Sequence, residues 1–426
     1  MNSSAPSNVG TLARRLGTLD ATVIGLGSML GAGVFAVFGP AAAAAGSGLL
    51  VGLGIAGVIA YCNAASSAQL AAVYPTSGGT YIYGRERLGH WWGFAAGWGF
   101  VIGKTASCAA MALTFAAYAA PGYEKPAAVA AVVLLAAVNY IGITRTAALT
   151  RILMGVAVVV LALVAVLAFP AADPSRLATD PGWWPNGPLG VLQAAGLLFF
   201  AFAGYARIAT LGEEVHNPAL TIPRAILIAL PVAAVVYAVI GLAVLLVLGP
   251  QQLATSTAPL AQALTASGHG SLTEIVRIGA AAASLGALLA LIAGVGRTSL
   301  AMARHGDLPR FLAGVHPRFQ VPHRAELTLA AIVIALVLTT DLRGAIGFSS
   351  FGVLVYYAIA NASAFTQSAE DRRWPRTINI LGITGCLILA ATLPLTSVIT
   401  GLAVFAIGLT GRALRQQHRT PARTDR

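Results

Sequence analysis

Polar residues along this chain are scarce and gathered into short clusters. Between them lie twelve apolar segments, at 20–39, 48–73, 93–119, 126–143, 150–169, 190–212, 224–248, 274–303, 325–340, 345–366, 377–393 and 396–411. Each can cross a hydrocarbon layer about 30 Å thick at ~1.5 Å of rise per residue, the last two being short for the task. The pattern predicts an all-α polytopic membrane protein with twelve transmembrane helices.

The first segment is unusual. TLDATVIGLGSMLGAGVFA, residues 18–36, carries Gly25, Gly27, Gly31 and Gly33 in an otherwise apolar run. Glycine lowers the cost of leaving the helix. In a bilayer an unwound stretch survives only where protein or a water-filled cavity satisfies the freed N–H and C=O groups. The sixth segment has a counterpart, since Ala203 and Gly204 interrupt the aromatic run of LLFFAFAGYARIATLGEEVHNP from Leu197. One glycine in a membrane helix often serves only close packing. Two interruptions five segments apart are the sequence pointer to an inverted-repeat transporter with a site near the midplane.

Composition agrees, with 57% hydrophobic and 9% charged residues over 426 positions and a mean hydropathy of +0.80. A soluble chain carries about 25% charged residues. With the N-terminus inside, twenty Arg lie on the cytoplasmic side and four basic residues (Lys125, Arg176, Arg277, Arg343) lie outside. The positive-inside rule therefore puts both termini in the cytoplasm. The net charge of +12 is topological, and no nucleic-acid partner is expected. The three cysteines, Cys62, Cys108 and Cys386, fall inside apolar segments and read as small buried hydrophobes. The first 17 residues lack a signal peptide's apolar core and cleavage site, so the first helix is expected to direct insertion. From Arg412 onward the chain reads as a basic, disordered tail.

Four motifs then carry a resemblance. GSMLGAGVF (27–35), AQLAAVYPTSGGTYIYGRERLG (68–89), FFAFAGYARIATLGEEVHNPALTIPRAI (199–226) and GRTSLAMARHGDLPRFLAGVHPRFQVP (296–322) occur in this order. Together they resemble the amino acid–polyamine–organocation permeases, in particular a bacterial branch similar to the cationic amino acid transporters. The resemblance implies the leucine-transporter fold, a 5+5 inverted repeat with helices 1 and 6 broken. On that reading 1–18 is a cytoplasmic segment and 19–366 the transporter core, with repeats at about 19–169 and 190–366. Helices 11 and 12 occupy 367–411 and a basic tail 412–426. The chain departs from the family at three places. Gln69 stands where a glutamate is usual, the fifth helix has no lysine near Ala157, and Gly103-Lys104 replaces an acid–aromatic pair in the third.

Rival chemistries fail on spacing. GFVIGKT (99–105) lacks the first glycine of a nucleotide-binding loop, because position 98 is Trp. Neither His-Glu-x-x-His nor Gly-x-Ser-x-Gly occurs, and the seven histidines form no metal-ligand cluster. No enzyme, metal or cofactor is expected; an embedded enzyme or membrane sensor would need a catalytic cluster or an added domain.

Candidate site residues follow from the breaks. Half-helix N-termini attract anions and unwound carbonyls attract cations. A substrate carboxylate is accordingly expected at the N–H groups of Gly31, Ala32 and Gly33, and its amine at carbonyls near Ser28 and Ala203, with Met29 and Gly204 also among the substrate-binding residues. Phe200, Phe202 and Tyr205 flank the second break and are expected to wall the bound side chain, with packing as the alternative. Charge inside a bilayer costs ~2.5–3.5 kcal/mol on insertion scales. Asp20 suits the positive end of the first helix as a cap, with a gate as the other role. Arg207, one turn past the second break, reads equally as gate or brace. Glu213 and Glu214 read as a structural cap or as a brace for the arginine-rich loops, with ion coupling as the alternative. Lys104 lies well inside the third segment without a partner within a turn, and is expected to be the proton-coupling residue. The expectation is alternating-access uptake of neutral or acidic amino acids with a co-transported proton, the site lying between helices 1, 3, 6, 8 and 10. An amino acid or polyamine exchanger is the alternative within transport.

Overall fold

The computed structural model describes residues 16–31, 33–75, 78–141, 146–178, 184–209, 211–212 and 214–417. Ala32, Glu213, Arg145 and the terminal segments 1–15 and 418–426 lie outside the described residues. The helices are, in order, α1 (Thr18–Leu30), α2 (Gly33–Ala36), α3 (Phe38–Ala45), α4 (Leu49–Val73), α5 (Thr80–Leu88), α6 (His90–Ala119), α7 (Glu124–Tyr140) and α8 (Thr146–Ala168). They continue as α9 (Gly187–Phe202), α10 (Ala206–Ala209), α11 (Pro218–Thr255), α12 (Pro259–Ala266), α13 (Thr273–Arg304), α14 (His323–Thr339), α15 (Leu342–Phe365), α16 (Arg376–Thr392) and α17 (Leu395–Gln417). Among the described residues there is no strand, only a single bridge between Leu16 and Val215.

A helix overlies each of the twelve apolar segments. Among the described residues, nine helical stretches are long and apolar enough to cross a membrane. Helices α7, α14 and α16 have 17 residues each, at the short limit for a span. The molecule is a helical multi-pass membrane protein. Two boundaries differ from the hydropathy pattern. The alanine run before Gly46 is helical as α3, because Ala has the strongest helix propensity although its hydropathy is modest. Helix α17 continues through Arg412 to Gln417, so the basic tail is ordered to that point. Arg412 is 5% exposed and pairs with Asp307 at 3.0 Å, which gives this turn a buried anchor.

Helix α6 runs through the middle of the bundle, packed against α13 and α15. Its approach to α15 depends on missing side chains. A Cβ on Gly352 would lie 2.7 Å from the Gly99 carbonyl oxygen and 2.9 Å from the Gly103 Cα. Small residues four apart let membrane helices pack backbone to backbone, where dispersion rather than hydrophobicity drives association. Ser107 and Ser349, with hydroxyls 2.7 Å apart, extend the same seam. A second seam is polar. Asn361 of α15 donates to Asn63 of α4 at 2.6 Å and accepts from Ser66 at 2.7 Å, and Asn379 of α16 donates to Ser66 at 2.7 Å. All four side chains are buried, so the network pins α4, α15 and α16 in one register.

Gly352→Leu should force α6 and α15 apart at a cost of about 1–3 kcal/mol. Its melting temperature and monodisperse yield should fall well below wild type. Gly54→Leu, whose Cβ meets nothing within 4 Å, should match wild type in both readouts.

Candidate functional site

Both glycine-marked segments break where their sequences suggest. Helix α1 stops at Leu30, the chain turns at Gly31, and helix resumes at Gly33. The second break is tighter: α9 ends at Phe202, a 3₁₀ turn spans Ala203–Tyr205, and α10 follows. The two breaks touch. A Cβ on Gly204 would lie 2.5 Å from the Ser28 carbonyl carbon and oxygen and 2.6 Å from the Met29 nitrogen. Only glycine permits that crossing of main chains.

Carbonyls at the breaks have donors waiting. The Tyr237 hydroxyl of α11 lies 2.7 Å from the Met29 oxygen and 2.9 Å from the Ala201 oxygen, so one phenol ties both segments together. Tyr118 donates to the Phe35 oxygen at 3.0 Å. The Lys104 ammonium donates to the Ala203 oxygen at 3.0 Å. Each donor comes from a helix outside the break, which is how irregular backbone persists away from water.

Beside the crossing lies a cavity of about 960 Å³. Ser28, Gly31, Lys104, Phe200, Ala203 and Gly204 line its deep end. It runs along α13 to the loop before α14, where His305, Phe319 and Gln320 line it. Arg207 lies on its wall, together with Glu214, Arg297 and Glu326. Charge is therefore segregated along its length. Among the described lining residues, Lys104 touches the crossing directly, through the Ala203 oxygen, and Arg207 follows three residues after Gly204. The carboxylates belong to Glu214, after α10, and Glu326, in the first turn of α14.

The remaining sequence candidates lie behind this wall. Met29 is fully buried, with its carbonyl held by Tyr237. Gly33 packs on α9, where a Cβ would come 2.8 Å from the Ala201 Cα, so a bulky substitution there perturbs packing rather than access. Phe202 stacks edge-on against Tyr237 at 5.0 Å, and Tyr205 tilts against Tyr357 at 5.0 Å. Of the three aromatics, Phe200 alone lines the cavity. Asp20 accepts from the Gly17 N–H at 3.2 Å and so caps α1. Ala32 and Glu213 lie outside the described residues.

Sequence reasoning passed over two features. Tyr237 sits in a helix rich in aliphatic residues and reads as core until its hydroxyl partners are seen. Glu326 is 3% exposed and lines the cavity, and its Oε2 has no hydrogen-bond partner among the described residues. The signal available was an acid near the start of the ninth apolar segment, where ionisable groups are costly.

Residues 16–410 match the family described as amino acid permease. The chain is 61% identical over 409 residues to an uncharacterized transporter of Mycobacterium tuberculosis (strain ATCC 25618 / H37Rv), covering 95% of this chain and 92% of the relative. It is 26% identical over 445 residues to the branched-chain amino acid permease of Bacillus subtilis (strain 168), covering 95% and 94%. It is 29% identical over 378 residues to cationic amino acid transporter 4 of Homo sapiens, covering 83% and 59%.

Tyr237→Phe removes the donor shared by Met29 and Ala201. Membrane hydrogen bonds are worth roughly 0.6–2 kcal/mol each. The variant should melt earlier than wild type by that amount, measured in detergent, and lose a larger fraction of transport than of stability.

Proposed function

The chain belongs to the amino acid permease family, and from that premise we propose that it carries neutral or acidic amino acids across the cytoplasmic membrane by proton-coupled alternating access. The helices form twelve spans, ten of them in two inverted repeats of five, with both termini in the cytoplasm. Family and relatives point to a transporter and not to an enzyme.

The observation that carries this reading is the crossing of the two breaks beside Lys104, at the deep end of the cavity. The substrate's carboxylate is assigned to the backbone N–H groups at Gly31 and its neighbours, and its amine to the Ser28 carbonyl, because the Ala203 carbonyl already holds the Lys104 ammonium. Phe200 faces the bound side chain. Protonated Lys104 has two effects in this scheme. It holds the Ala203 carbonyl, and its charge favours an anionic carboxylate nearby. Loss of the proton releases both, so proton and substrate leave together.

The same charge sets the substrate class. A second cation would meet Lys104, and the lining carboxylates among the described residues, Glu214 and Glu326, belong to the segment after α10 and to α14. That disfavours the substrates named for the human relative and agrees with those named for the Bacillus one. Arg207, with Glu214 and Arg297 on the same wall, is proposed to line the inner gate, and Asp20 to cap the helix beside it.

Proteoliposome uptake driven by an inward proton gradient tests the scheme, with a competition panel of neutral, acidic and cationic amino acids. Neutral or acidic competitors should inhibit and lysine and arginine should not. Lys104→Gln should abolish accumulation driven by the pH gradient, by tenfold or more on the scale of a lost coupling step, while retaining counterflow. Unchanged gradient-driven uptake by Lys104→Gln would remove Lys104 from coupling. Preferential inhibition by cationic amino acids would overturn the substrate class.

A further inference from the structure

A second pocket lies outside the transport cavity, at the end of the bundle where α6 begins and α17 ends. Its volume is about 360 Å³, and Arg85, His90, His305, Asp307, Arg412 and Arg415 line it. The guanidinium groups come from three places in the sequence: α5, and two successive turns of α17. One carboxylate faces them. Asp307 is 7% exposed; its Oδ1 lies 3.0 Å from Arg412, and its Oδ2 accepts from the Tyr81 hydroxyl at 2.7 Å and lies 3.6 Å from Arg85. Burial and the adjacent carboxylate push the Tyr81 phenol above its ordinary range, so it remains a donor to Asp307.

The charges do not balance. Three arginines against one aspartate leave two positive charges in the pocket, before either histidine is protonated. Arg412 cannot swing away to water, since it is 5% exposed and its guanidinium lies over the Trp91 ring at 4.9 Å and the Phe94 ring at 4.8 Å. Its Nε has no hydrogen-bond partner among the described residues. Arg415 is exposed on the pocket wall and makes no ion pair among the described residues. Fixed, under-neutralised guanidinium groups are the usual complement of phosphate oxygens, which accept from their planar forks. Trp91 and Trp92 are exposed at 43% and 53% beside the pocket, where indole rings mark the lipid–water boundary.

We propose that this pocket binds a phosphate-bearing anion, either the headgroup of an anionic lipid or a soluble phosphate. Neither source is needed for the transport scheme above, and the site stands or falls independently of it. His305 lines this pocket and the mouth of the transport cavity alike. Occupancy would fasten α17 to α5 and α6 beside that mouth.

The full chain is purified in neutral detergent and compared by native mass spectrometry with added phosphatidylglycerol or phosphatidylcholine, and by thermal shift with inorganic phosphate. Wild type should retain phosphatidylglycerol over phosphatidylcholine, or be stabilised by phosphate. Basic residues near anionic lipid each contribute enough that Arg415→Gln should weaken the effect roughly fivefold. Arg415→Lys should recover part of it. Arg224→Gln, an exposed arginine at the start of α11, serves as the control for general surface charge. Arg415-dependent lipid retention without a phosphate effect assigns the site to a headgroup; an Arg415-dependent phosphate effect assigns it to a soluble anion. Equal losses in Arg415→Gln and Arg224→Gln, or no difference between Arg415→Gln and wild type, would overturn the proposal. Both substituted side chains are exposed, and size-exclusion profiles confirm that each variant is folded before binding is scored.

Discussion

Main-chain carbonyls at two broken helices, which need donors from outside their own helix, are the constraint on which this structure turns. Breaking two helices in an apolar interior is affordable only if donors arrive from elsewhere. Tyr237 reaches two such oxygens, on opposite sides of the crossing, and Lys104 and Tyr118 each reach one. These donors fix the positions of α11 and α6 around α1 and α9. Remove them and the breaks would either heal into helix or pull apart. The cavity exists because neither happens.

Glycine supplies the second half of the arrangement. At Gly204 the main chain of one break rests on the main chain of the other, and at Gly99, Gly103 and Gly352 helices α6 and α15 meet at the same closeness. With α6 held there, Lys104 lies within reach of Ala203. A buried ammonium is costly alone, and it is tolerable here because it meets an oxygen that also needs a donor. The electrostatic layout of the cavity follows from this. A cation sits at the crossing, and the carboxylates of Glu214 and Glu326 lie farther along the wall.

Much of the frame was legible in the sequence. The twelve apolar segments match helices because hydropathy over a window of this length is a strong signal, and glycine in such a run marks the breaks. The site was legible only in part. Ser28, Gly31, Lys104, Phe200, Ala203, Gly204 and Arg207 line the cavity, whereas Met29, Gly33, Phe202 and Tyr205 do not. The two groups alternate along the same short stretches. Which side of a broken helix faces a cavity depends on the partner helices, and no local pattern encodes it. Tyr237 was invisible for a related reason: a tyrosine in an apolar helix looks like core until its oxygen is given partners. The ordered end of α17 was missed because its anchor, Asp307, lies over a hundred positions earlier.

The crossing of the breaks is proposed as the substrate site. Ser28 lines the cavity there, and its hydroxyl donates to the Ile24 carbonyl one turn earlier, at 3.0 Å. Ser28→Cys can therefore be introduced into a chain whose three buried cysteines have been replaced. The measurement is the rate at which a small methanethiosulfonate modifies this thiol, with and without a transported amino acid. Substrate should slow modification in proportion to its occupancy, and the modified protein should no longer transport. An unchanged rate under saturating substrate, or full transport after complete modification, would contradict that assignment.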